Sequence, residues 1–134
     1  MTVDNHFIAE GLKLATKFAH ERSASAGWWT CPHTGNDLLD NKAYAPYVIA
    51  TKLALIMSET VEALEGARKD AMDDKLPNRS MLEVELVDVL LRVFDLAGKL
   101  DLDLAGAWVE KSEFNSVRPD HNIANRLKPN GKKF

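Results

Sequence analysis

Apolar residues return at helical spacing through most of the chain. From Asp4 to about Arg22, Phe7, Ile8, Leu12, Leu14, Ala15, Phe18 and Ala19 predict a first helix, with Asp4 as its N-cap. A second helix is expected from Pro46, since proline is tolerated in a first turn, to about Asp73. A third begins at Ser80, where Ser80-Met81-Leu82-Glu83 has the form of a capping box, and continues to about Leu100. A fourth covers Asp103 to Val117 and stops before Pro119. No segment alternates convincingly with period two, so no substantial sheet is expected. The prediction is one all-α domain over residues 1–134, a bundle of about four helices. Its core spans 46–118, its long second and third helices are antiparallel across a short connection, and an irregular basic tail follows at 119–134.

Between the first two helices, Ser23 to Ala45 is rich in turn formers, including Gly27, Pro32, Gly35, Asn36, Asp37 and Asn41. A connection this long in so small a domain is uncommon and often functional. It carries Trp28 and Trp29. Two roles are open to them: a ring folded back into the core, or a ring lining a pocket and stacking on a ligand. Cys31 and His33, in the same loop, lack a second pair of metal-binding residues at zinc-site spacing.

The polar positions carry the chemistry. Glu59 and Glu62 stand three residues apart inside an apolar segment, and so do Glu85 and Asp88. Each pair therefore shares one face of a helical turn. Lys52, Glu59, Glu62 and Lys69 form one stripe, and Glu85, Asp88, Arg92 and Asp95 another. A solvated amphipathic face is the ordinary meaning of such a stripe. Here the apolar arc of the third helix is too wide for a helix packed on one side, and carboxylates at this spacing repel without a cation. Burying a carboxylate ionised and unpaired is very costly. Antiparallel packing brings the two acidic pairs level, which suggests a divalent ion between the helices. Oxygen-only donors select a hard cation: Mg²⁺, with Mn²⁺ as a substitute. On the stripes alone, Asp95 is expected to pair with Arg92, while Lys52 is left between substrate contact and charge pairing.

Composition narrows the classes. The formal net charge is −3 and the chain is 46% hydrophobic, which suits a globular protein and argues against nucleic-acid binding. No apolar run is long enough to span a membrane, and Met1 to His6 do not have the form of a signal peptide. A single cysteine, Cys31, fits a reducing cytoplasm. A di-iron bundle needs Glu-x-x-His pairs, and none of the four histidines lies three positions after a glutamate. There is no phosphate-binding glycine loop and no Gly-x-Ser-x-Gly elbow.

Glu59-x-x-Glu62, a spacer of 22 residues, and Glu85-x-x-Asp88 together resemble the signature of the MazG-like, all-α nucleoside triphosphate pyrophosphohydrolases. The family pattern has a second glutamate at the position of Ser58. Lys111-x-x-x-Asn115-x-x-Arg118 is similar to the family's phosphate-contacting segment, and the resemblance covers roughly residues 46 to 118. It implies a helical bundle assembled as a homodimer or homotetramer. It also implies Mg²⁺-dependent hydrolysis of a (deoxy)nucleoside triphosphate to the monophosphate and pyrophosphate, in nucleotide-pool cleaning or control. On that reading Glu59, Glu62, Glu85 and Asp88 hold the metal, with Glu62 as general base. Lys111, Asn115 and Arg118 meet the phosphates, Lys52 is a further substrate contact, and Trp28 and Trp29 are candidates for stacking on the base. The alternative is a non-catalytic helical module that binds a nucleotide or a protein.

Overall fold

The computed structural model describes residues 5–133. The chain is all-α. The helices are α1 (Asn5–Ser25), α2 (Ala45–Lys69), α3 (Met81–Lys99), α4 (Leu104–Val117) and a short α5 (Ile123–Arg126), with a 3-10 turn at Pro119–His121 before α5. The described residues form no strand, only the isolated bridges Thr30–Asp37 and Met72–Ser80. None of the helices is long and apolar enough to cross a membrane, among the described residues. The expected cap Asp4 lies outside them.

The chain divides into two compact units. The first comprises Ala15–Leu102 and holds the second half of α1, the long loop, α2 and α3. Here α2 and α3 pack as an antiparallel hairpin, with Gly66 against Met81 near the turn and Glu59 against Arg92 further along. A Cβ at Gly66 would stand 2.9 Å from Met81 Cβ, so the missing side chain sets how closely the helices approach. The α1–α3 contact has the same device: a Cβ at Gly98 would come within 2.5 Å of His20 Cβ. Buried apolar residues in this unit are mostly small (Ala19, Ala63, Ala97), with Leu96 and Trp29 as the large members. Large apolar side chains on the outer faces stay exposed: Leu53, Met57, Val61 and Leu64 on α2, and Leu86, Val87, Leu90 and Leu91 on α3.

The turn between α2 and α3 departs from the sequence expectation. Helix α2 ends at Lys69 rather than near Asp73, because Asp70 adopts a left-handed conformation with φ 48°. Asp73 is buried and organises the next turn, its Oδ1 accepting from the backbone N–H of Lys75 (3.0 Å) and Leu76 (2.6 Å). The capping box forms as the sequence predicts, with Ser80 accepting from the Glu83 N–H and the Glu83 carboxylate accepting from Ser80.

In the second unit, which takes in the chain up to Leu14 and from Asp103, the Asp103 side chain caps α4 by accepting from the Gly106 N–H. The tail expected to be irregular is instead partly helical. Pro119 sits in the first turn of the 3-10 segment, and the Asn122 side chain caps α5. The Arg126 guanidinium then holds the last stretch by donating to the carbonyls of Lys132 and Lys133.

Candidate metal centre and adjoining cavity

Glu59 on α2 and Glu85 and Asp88 on α3 each offer one carboxylate oxygen to a common point, these oxygens lying within 4.8 Å of one another. Only 7% of Glu59 and 8% of Glu85 is exposed, while Asp88 is half-buried. Such crowding has an electrostatic cost. Burial first, then the charge of Glu62, then the hydrogen bond with Glu59 push the Glu85 carboxyl up to about 6. Asp88 is also raised, by burial and by the Glu59 charge, with Arg92 opposing. Three clustered oxygen donors that repel one another suit a hard divalent ion, which would relieve the repulsion. Glu62 stands apart: it is exposed and outside the converging three, although its charge reaches Glu85.

Arg92 lies one helical turn beyond Asp88 and does not pair with Asp95. Its Nε donates to Glu59 Oε1 at 2.5 Å, and its Nη2 is ion-paired with the same oxygen at 2.5 Å. Asp95 is taken by other donors. Its Oδ1 accepts from Trp29 Nε1 (2.8 Å) and His20 Nδ1 (3.0 Å), and its Oδ2 accepts from Ser23 Oγ (2.8 Å). With both carboxylate oxygens engaged, Asp95 ties the end of α1 and the long loop to α3. The Lys99–Asp37 ion pair ties the far side of the loop to the same helix. The antiparallel register of α2 against α3 brings Arg92 level with Glu59.

Beside the triad lies a cavity of about 530 Å³. Its apolar lining includes Phe18, Trp28, Leu55 and Leu91, and its polar lining includes Arg22, Lys52, Arg92 and Asp95. The two tryptophans take different roles. Trp29 is buried, 2% exposed, beneath the Lys52 ammonium at 4.2 Å from its ring centre. Trp28 is 68% exposed and lines the cavity. Lys52 Nζ also donates to the Trp28 carbonyl at 3.0 Å, and partial burial lowers its pKa. With Arg92 committed to Glu59, Arg22 and Lys52 face the single acid Asp95 among aromatic and aliphatic side chains, which leaves the lining with an excess of positive charge.

Lys111, Asn115 and Arg118 belong to the other unit. Lys111 Nζ lies 5.1 Å from the Phe114 ring centre, and Arg118 forms a forked pair with Asp120 at 2.9 and 2.6 Å. Asn115 Oδ1 is buried with no hydrogen-bond partner among the described residues. Sequence reasoning missed Arg22, His20 and Ser23. Their only signal was a polar cluster closing an otherwise amphipathic helix. A comparison with known protein families, with curated proteins and with solved structures found no match to this chain.

Proposed function

We propose that this protein is a metal-dependent hydrolase that cleaves (deoxy)nucleoside triphosphates into the monophosphate and pyrophosphate. The observation that carries this reading is the convergence of Glu59, Glu85 and Asp88 between two helices, with a cationic, aromatic-lined cavity beside them. The resemblance to the MazG-like pyrophosphohydrolases supports it. Glu59, Glu85 and Asp88 would hold Mg²⁺, or Mn²⁺ in its place. When bound, such an ion neutralises phosphate charge and makes a coordinated water more acidic.

The chain's own residues supply the rest. Glu62, exposed beside the triad, accepts the proton of the attacking water at a carboxylate oxygen. Trp28 stacks on the base, and Lys52, its ammonium resting over the buried Trp29 ring, carries positive charge to the nucleotide. Lys111, Asn115 and Arg118 are assigned to the phosphates on their motif alone. The exposed apolar faces of α2 and α3 support assembly as a homodimer or homotetramer. The reading includes a cytoplasmic role in nucleotide-pool cleaning or control.

One observation favours the second reading, a non-catalytic nucleotide- or protein-binding module: an acid of the triad, Glu59, already has an internal cationic partner in Arg92. The deciding experiment is product analysis on ribo- and deoxyribonucleoside triphosphates with Mg²⁺ and with EDTA. Metal-dependent release of pyrophosphate and monophosphate is expected. No release from a folded protein that binds Mg²⁺ selects the module. Release of orthophosphate identifies a different scissile bond.

A further inference from the structure

Arg92 stands between two features. Its guanidinium is committed to Glu59, an acid of the triad, and the same side chain lines the cavity that also holds Arg22, Lys52 and Trp28. We infer that Arg92 is an exchangeable cation: it occupies Glu59 while the triad holds no metal, and a divalent ion displaces it into the cavity, where it completes a binding site for the anionic group of the ligand. The inference rests on the metal reading of the triad.

Three observations carry it. First, both nitrogens of the fork converge on one oxygen, Glu59 Oε1, so Arg92 stands where positive charge is needed by a nearly buried carboxylate. Second, a divalent ion at the triad would face the guanidinium across a single carboxylate. Two like charges that share one carboxylate repel each other, and each weakens the hold of Glu59 on the other. Third, the displaced side chain has somewhere to go. It is partly exposed, with 41% of the side chain accessible. The cavity's acid, Asp95, already accepts from His20, Ser23 and Trp29, so it offers Arg92 no strong competing partner. Released Arg92 therefore adds an unpaired fork to Arg22 and Lys52. A phosphate or a carboxylate is what such a planar fork binds through two oxygens at once. Binding then becomes ordered: the cation first, the anionic ligand second. Each raises the affinity of the other through one side chain, as linkage requires.

The test needs no turnover. The Nε–H resonance of Arg92 is identified in full-length protein by its loss in Arg92→Lys, and it is followed while Mg²⁺ alone is added, then with dAMP, dCMP, dGMP or dTMP singly. The expected result is a protected Nε–H in the metal-free protein, loss of protection with Mg²⁺, and its return with a bound monophosphate. Calorimetry with Mg²⁺ gives the second arm. Arg92→Met is expected to bind Mg²⁺ about tenfold more tightly than the natural chain, because no internal cation has to leave. Arg92→Lys, which keeps the charge and loses the fork, falls between them. Equal or weaker binding by Arg92→Met overturns the proposal. So does wild-type affinity in Arg92→Lys, which assigns the effect to long-range charge. If the backbone amides of Glu59, Glu85 and Asp88 respond to Mg²⁺ while the Nε–H stays protected, Arg92 merely orients Glu59 and the exchange alone is refuted. If none of these amides responds, the metal reading fails with it.

Discussion

Glu85 concentrates the electrostatic cost of the centre in one side chain, and its titration has a definite sign. The folded protein holds the Glu85 proton up to about pH 6, whereas the carboxyl is expected near its ordinary 4.5 when unfolded. The stability contributed by that proton is complete below 4.5 and is lost as the pH rises through 6. Glu85→Gln should therefore stabilise the metal-free protein at pH 7 by about 1–2 kcal/mol, with little gain at pH 4.5. Urea unfolding in EDTA at the two pH values checks this. The same proton competes with a cation, so Mg²⁺ affinity should fall as the pH drops below 6, which calorimetry from pH 5 to pH 7 would read. Glu62, exposed and outside the triad, gives the complementary case. Glu62→Gln should abolish pyrophosphate release while leaving the unfolding midpoint nearly unchanged. Undiminished turnover in that variant removes Glu62 from the proton transfer.

At the scale of elements, the long loop is held as a structured part of its unit by Asp95 and by the Lys99–Asp37 pair. An amide in place of the Asp95 carboxylate turns an acceptor toward a donor and leaves a buried N–H unmatched. Asp95→Asn should cost about 2–3 kcal/mol in urea unfolding. It should also speed hydrogen exchange at Thr30 and Leu38, whose N–H groups bond within the loop. An unaltered exchange pattern would assign the loop's order to packing instead. These elements also show what the sequence reveals and what it hides. The capping box, the helical periodicity and the shared helical face of Glu85 and Asp88 follow from local spacing; the convergence of Glu59 on them, with Glu62 left out, depends on how the two helices pack. The end of α2 does not follow from spacing either, because a left-handed Asp70 is decided by the turn that follows it. Nor does the partner of Arg92. Within α3 it stands three residues from Asp95, but the register against α2 brings Glu59 to it, while residues more than sixty positions away satisfy Asp95.

At the scale of the molecule, the outer stripe of α2 (Leu53, Met57, Val61, Leu64) and that of α3 (Leu86, Val87, Leu90, Leu91) leave a large apolar surface exposed in a single chain. Monomers seldom tolerate contiguous patches of this kind. Sedimentation equilibrium should give a multiple of the 14.9 kDa chain mass. The double substitution Leu86→Glu, Leu90→Glu should return the monomer mass. A monomeric natural chain would rule the assembly out.

The contrast between the adjacent tryptophans has an optical consequence. Trp29, sealed in the core beneath an ammonium group, should emit toward the blue and resist acrylamide. Trp28, at the mouth of the cavity, should emit toward the red and be quenched readily. With Trp108 replaced by phenylalanine, a molecule seated in the cavity would darken or shield one emitter and spare its neighbour. The protein thus carries a label-free gauge of occupancy, able to rank ligands before any product has formed.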